Sequence, residues 1–275
     1  MKYIAQRFMS VGKTKQSNNA ESAVFGSAQN LASNIDDASS YRIAFYPIIS
    51  SGDPEVAMGI ATVMSYILDQ YSKVTVYRIL AKVESDSSND EEEWDIAESQ
   101  FTLNDWDFDG LDDNIQIYGE LSQIGSSLQL QLTVDNSLLE DSAVVSIEHT
   151  ANSLGTLVTQ LPDIVSNIMT QLRGDLFSDQ DELIMTYNPT DINDVEDNLS
   201  ALFYWNLDLY FHLWGVEWLD EEITSQFSEL LDITRDRKNS FSSWCVAMAM
   251  KQVLQIGLES IGELLMPFVD EVIEL

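Results

Sequence analysis

Lysine and arginine are what this chain lacks most. None stands between Val83 and Arg173 and none between Gly174 and Thr234, so Arg173 alone faces 34 acidic residues across that span. The 275 residues carry 13 basic and 46 acidic side chains, a formal charge of −33. Such a surface repels nucleic acid and anionic lipid and attracts cations or basic protein surfaces. Cysteine is almost absent: Cys245 is the only one, which excludes an internal disulfide and points to a reducing compartment. Histidine occurs only as His149 and His212, without the spacing of a zinc site. Glycine-rich phosphate loops and a Gly-x-Ser-x-Gly nucleophile elbow are missing. Met1-Lys2-Tyr3-Ile4-Ala5 leads into polar residues rather than an apolar core with a cleavage site, so the expectation is a cytoplasmic protein. Long apolar runs are missing as well. The best span, residues 199–219, is interrupted by Asp208, His212 and Glu217, which favours a buried amphipathic helix over a membrane crossing.

What is present suffices for a folded core. Hydrophobic residues make up 45% of the chain and aromatics 10%, too much apolar material for a disordered acidic protein. The length suits one large domain or two ordinary ones. The charge must then lie on the outside of folded structure, either for a basic partner or as adaptation to high salt.

Residues 1–40 read as a flexible arm. Residues 12–40 are rich in Ser, Asn, Gln and Ala, with Lys2, Arg7, Lys13 and Lys15 near the start. Residues 42–49 form an apolar run of strand length. Asp53 is placed to cap a helix, with Pro54 in its first turn and Glu55 at the positive end of its dipole. Val56, Ile60, Val63, Met64, Ile67, Leu68 and Tyr71 then recur at helical spacing, and residues 73–83 return to a β-rich run. Residues 84–98 are acidic and serine-rich and read as an exposed loop, part of an acidic insertion spanning residues 84–114. Residues 115–120 and 127–135 predict a hairpin around Ile124-Gly125-Ser126. Leu128, Leu130, Leu132 and Val134 alternate there with Gln129, Gln131 and Thr133. Residues 143–149 complete a meander. Leu154, Leu157, Val158, Leu161, Ile164, Val165, Ile168, Met169 and Leu172 come next at helical spacing, with Pro162 expected to divide the helix and Gly174 to stop it.

The fold class is α+β. Helices on a mixed or antiparallel sheet occupy residues 41–174, a linker residues 175–195, and an all-α unit of helical hairpins residues 196–275. Helices are expected at 196–214, 219–235, 241–256 and 258–274. Ser240 is the expected cap of the third, and Pro267 is expected to kink or divide the fourth.

Two segments carry a resemblance. Ile43-Ala44-Phe45-Tyr46-Pro47 leads into a helix, and Ile117-Tyr118-Gly119-Glu120-Leu121 precedes the alternating Leu128-Gln129-Leu130-Gln131-Leu132. In this order residues 41–174 resemble the TolB amino-terminal-like α/β domain, which bacteria also fuse to cyclases and tetratricopeptide arrays. Residues 154–172 fall where its closing helix would be. Residues 196–275 look like tetratricopeptide-type helical pairs, although the Trp…Leu-Gly…Tyr signature is not present as a clean run. The resemblance implies a non-catalytic recognition or scaffolding module and supplies no catalytic residue. The acidic insertion and the missing secretory pattern depart from periplasmic members.

The sharpest local motif is Asp105-Trp106-Asp107-Phe108-Asp109-Gly110. Asp105, Asp107 and Asp109 match the first oxygen positions of a calcium loop, and Asp113 falls at the ninth. Gln116 stands where a bidentate Glu belongs and residues 115–120 read as a strand; both argue against a helix–loop–helix hand. A looser calcium site competes with an acidic exposed turn; no other cofactor is expected. The histidines and Cys245 read as structural. Phe203, Tyr204, Trp205, Tyr210, Phe211, Trp214 and Trp218 are too many for one helix face, which predicts a helix covered on several sides. The function expected is non-catalytic protein recognition, as adaptor, inhibitor or regulatory subunit, against a partner with a basic surface. Its candidate contacts are Asp90, Glu91, Glu92, Glu93, Trp205, Trp214 and Trp218. The alternatives are an anionic mimic of nucleic acid and a calcium-responsive binding module; no motif supports an enzyme, and neither nucleic acid nor membrane is an expected direct partner.

Overall fold

The computed structural model describes residues 21–26, 41–71, 74–85, 92–96, 115–136, 143–173, 195–213, 220–256 and 265–268. The strands are β1 (Glu21–Gly26), β2 (Tyr41–Ser50), β3 (Val74–Ser85), β4 (Glu92–Ile96), β5 (Ile115–Ile124), β6 (Ser127–Asn136) and β7 (Ala143–Ala151). The helices are α1 (Pro54–Leu68), α2 (Leu154–Arg173), α3 (Glu196–Leu213), α4 (Asp220–Arg237) and α5 (Ser240–Ile256), with a short 3-10 turn at Met266–Phe268.

The seven strands among the described residues belong to one mixed sheet ordered β1-β3-β2-β5-β6-β7, with β4 also on β3. β2 runs parallel to β3 and β5, while the β1–β3, β3–β4, β5–β6 and β6–β7 pairs are antiparallel. The parallel β2–β3 pair needs a crossover, and α1 supplies it. Asp53 caps α1 as the sequence predicts, its Oδ1 accepting from Glu55 N at 3.0 Å and Val56 N at 3.2 Å, with Pro54 in the first turn. Pro47 lies inside β2 but has no N–H to give. The register with β5 shifts between Phe45 and Ile48, and pairing with β3 stops at Phe45, so the ladder bypasses the proline. Gly125 turns the β5–β6 hairpin at φ +63°, and the pair Ile124–Ser127 closes a two-residue loop. Positive φ at the first loop residue, and not at Ser126, is the pattern that favours glycine there.

Three layers result. The sheet lies against α1 and α2, with α1 beneath β2 and β3 and α2 beneath β6 and β7; α3 then packs on α1, and α4 and α5 pack on α3. α1 is therefore covered on both sides, which is why every residue from Val56 to Leu68 is buried. Gly59 sets the distance to α3: a Cβ there would lie 2.4 Å from the Leu199 carbonyl oxygen. One hydrophobic cluster runs through all three layers, from Ile117 and Leu132 of the sheet to Phe227 of α4 and Val253 of α5.

Several boundaries differ from the sequence reading. Residues 21–26, inside the stretch read as a flexible arm, form β1, and residues 92–96, inside the stretch read as a loop, form β4. Both are short strands on β3 and gain order from the backbone ladder, which charge and composition do not reveal. Pro162 does not divide α2, which runs unbroken from Leu154 to Arg173. An interior proline costs about 3 kcal/mol. Leu157, Val158, Leu161, Ile164, Val165 and Ile168 are all buried beside it, at about 1.5–3 kcal/mol each, and their packing outweighs that cost. Asn239, not Ser240, caps α5, accepting from Ser242 N at 2.8 Å.

Candidate functional site

The surface with the clearest functional character is the outer face of the β5–β6–β7 meander. Strand alternation sends Leu128, Leu130, Leu132 and Val134 toward α2, where His149, Ile147 and Val145 of β7 join them. The opposite face carries Gln116, Tyr118, Glu120 and Ser122 of β5, then Gln129, Gln131, Thr133 and Asp135 of β6. Val144, Ser146, Glu148 and Thr150 of β7 complete it. Rungs cross the sheet as Glu120–Gln131–Glu148 and Gln116–Asp135–Val144. Glu148 accepts a hydrogen bond from the Gln129 amide. No lysine or arginine occurs anywhere in these three strands. Val144 is 61% exposed, an apolar side chain left open on this face, whereas Tyr118 is partly buried against the core.

A second acidic surface lies between the start of α3 and α4. Asp197, Ser225, Ser228, Glu229, Asp232, Ile233, Asp236 and Arg237 line an open groove of about 480 Å³. Arg237 bridges to Asp197 at 2.5 Å, and Arg235 pairs with Asp232 within α4. The groove's basic group is thus committed to the protein itself, and such exposed pairs contribute about 0–1 kcal/mol.

Between the layers the polar groups have structural work. The Tyr66 hydroxyl donates to Gln252 Oε1 and lies 3.0 Å from Asn206 Oδ1, which also accepts from Gln252 Nε2 at 3.0 Å. All three residues are buried, so α1, α3 and α5 are keyed together by groups that water cannot satisfy. Ser242 Oγ makes a similar link, donating to Asn198 Oδ1 at 2.9 Å. Tyr204 donates to Glu55 Oε1 at 2.6 Å, across the α1–α3 contact. Burial, that hydrogen bond and the nearby carboxylates push its phenol up to about 12.

The expected site residues fall in several places. Asp105, Asp107, Asp109 and Asp113 lie outside the described residues, as do Asp90, Glu91, Trp214 and Trp218. Glu92 and Glu93 lie on β4, opposite Ser85 and Glu84 of β3. Trp205 is wholly buried, its ring 5.5 Å from Phe227, so it serves the core and not a partner surface. The aromatic crowding has that cause: Phe203 and Trp205 are both buried, and α3 meets α1, α4 and α5 on different sides. His149 Nε2 lies 2.7 Å from Gln160 Oε1 and ties β7 to α2. Cys245 is fully buried, and desolvation pushes its thiol up, away from the nucleophilic thiolate. Among the described residues no three His, Cys, Asp or Glu side chains come together as a metal site, and no helix is long and apolar enough to cross a membrane.

Sequence reasoning found the β5–β7 meander but not its position. The only signal that β7 comes last in the order of the described strands was the next element along the chain, a helix rather than another strand. Compared with protein-family models, curated proteins and solved structures, the chain matches none.

Proposed function

We propose that the chain is a non-catalytic protein-recognition module, an adaptor, inhibitor or regulatory subunit whose acidic surface meets a partner with a basic one. The observation that carries this reading is the β5–β6–β7 face: Glu120, Asp135 and Glu148 stand on it with no lysine or arginine in the same strands. A carboxylate surface of this kind raises the encounter rate with a basic partner and rejects acidic ones. Residues 41–174 then act as a TolB amino-terminal-like unit, a reading supported by the order strand, helix, strand, hairpin, strand, helix once the short β4 within the acidic insertion is set aside. Residues 196–275 act as an all-helical unit of hairpins related to tetratricopeptide pairs, supported by α3, α4 and α5 in succession. A single, buried cysteine supports a cytoplasmic setting.

The test is affinity capture from the native host at low and moderate salt, with mass spectrometry of what is retained. A protein recovered in stoichiometric amount, and released as salt rises, supports the reading. A blank at both salts overturns it.

A further inference from the structure

We infer that β7 is the docking edge, and that it takes an extended segment of the partner as an additional strand. This inference rests on the recognition reading above and names the geometry and partner chemistry of that same surface. The sheet order ends at β7, which pairs only with β6 among the described residues. The hairpin determines which of its backbone groups face outward. A two-residue loop closes on a hydrogen-bonded pair, here Ile124 and Ser127, and such pairs recur at every second rung. Residues Gln129, Gln131, Thr133 and Asp135 therefore bond β5, leaving Leu128, Leu130, Leu132 and Val134 to bond Ala151, His149, Ile147 and Val145 of β7. The N–H and C=O groups of Val144, Ser146, Glu148 and Thr150 are left pointing off the sheet. The same residues are the exposed ones on β7.

Edge strands are normally guarded by charged side chains, lysine above all, by a proline, a bulge or shortness, or by a helix or loop laid over them. β7 has no lysine, proline or bulge and no described strand beyond it: it runs nine residues, Ala-Val-Val-Ser-Ile-Glu-His-Thr-Ala, in unbroken register with β6. Its one acidic side chain, Glu148, is the charge an incoming segment must answer. Its flanking surface chooses the occupant. A second copy would bring its own charge of −33 against Glu148, Glu120 and Asp135 and be repelled. A segment from another protein fits if one Lys or Arg stands opposite Glu148 and, four residues away on the same face, an apolar side chain stands opposite Val144. Directly opposed side chains on neighbouring strands come within about 4.5–5.5 Å between Cβ atoms, close enough for both contacts. Strand addition of this kind draws affinity from main-chain bonds and selectivity from alternate side chains.

The probes are capped nonapeptides of threonine and valine carrying one arginine and one isoleucine four residues apart, in either order. A matched peptide has glutamate for arginine. Binding to the full chain is read by fluorescence anisotropy at low salt. The arginine peptide is expected to bind, with the glutamate peptide at least tenfold weaker. Ser146→Pro removes an N–H from the free edge without touching the β6 ladder, and is expected to weaken binding at least tenfold, with Ser146→Ala unchanged. If Ser146→Pro does not fold, N-methylation of alternate peptide residues gives the same readout: one alternate set abolishes binding and the other leaves it intact. Binding that survives both Ser146→Pro and either methylation pattern overturns the edge and leaves the recognition reading standing. No peptide binding, with a partner still captured from the host, does the same. A blank capture overturns recognition itself, and a dimer dispersed by Ser146→Pro replaces the foreign segment by a second copy.

Discussion

Replacing Gly59 by alanine should part the sheet layer from the helical layer. The new Cβ would lie 2.4 Å from Leu199 O and 2.6 Å from both the carbonyl carbon and Cβ of Leu199. Non-bonded carbon atoms settle at about 3.5–4.0 Å, so α1 and α3 must separate by roughly 1 Å. The obstacle is backbone and cannot rotate aside. Overpacking of this kind costs typically about 1–3 kcal/mol, and a backbone obstacle belongs at the upper end. Against it stands the helix preference for alanine over glycine, about 1 kcal/mol. The net expectation is a loss of about 2 kcal/mol, or a melting temperature lower by about 4–8 °C. Urea unfolding followed by tryptophan fluorescence and circular dichroism measures it. Gly52→Ala is the control, since a Cβ there meets only Ser50 Oγ at 3.6 Å. If Gly59→Ala proves as stable as the parent, or gains the propensity increment, then the helices do not meet at this point and the three-layer packing is wrong.

Tyr66→Phe removes the donor to buried Gln252 Oε1 and should cost about 1–3 kcal/mol in the same assay, whereas no loss would show that the inter-layer network is wet. Pro162→Ala should raise stability, by up to about 3 kcal/mol, because α2 continues through that position; a loss would mean that the helix is broken there. The Tyr204 phenol is pushed up to about 12 from an ordinary 10, so the folded state favours its neutral form. The stability this gives is complete below pH 10 and disappears as pH rises from 10 to 12. Ultraviolet titration should show a late-ionising tyrosine that is missing in Tyr204→Phe; an unchanged titration would remove the Glu55 contact.

What was legible in the sequence was whatever local chemistry dictates. Asp53-Pro54-Glu55 announced α1, and the alternation of Leu128 to Val134 announced β6, because caps and period-two patterns act within a few residues. Less legible were features made by distant partners. β1 and β4 are strands only because β3 is there to pair with them. Pro162 stays inside α2 because the sheet buries the face around it. Trp205 looked like an interface anchor by residue type, and only the packing of α4 on α3 makes it core. Gly59 carried no signal at all, since its role depends on a carbonyl 140 positions along the chain, at Leu199. The place of β7 at the end of the described strand order was hidden for the same reason: strand order is a property of the sheet, not of any strand.

The carboxylates of this protein have two opposed consequences with salt, and together these separate the two explanations of its charge. At about 10 mM salt the screening length is about 30 Å, longer than the reach of most charge pairs in the fold, and at 1 M it is about 3 Å. Raising salt relieves the self-repulsion of a chain at −33, so folding stability should climb whichever explanation holds. Docking of a basic segment at Glu148 depends on the same unscreened field and should weaken over the same range. Adaptation to salt alone predicts the first trend without the second, because nothing in it requires a partner. The recognition reading requires both, and it ties the second to one strand: Glu148→Gln should flatten the salt dependence of docking while leaving that of stability almost unchanged, since it removes one of 46 acidic groups from the total but the one nearest the incoming cation.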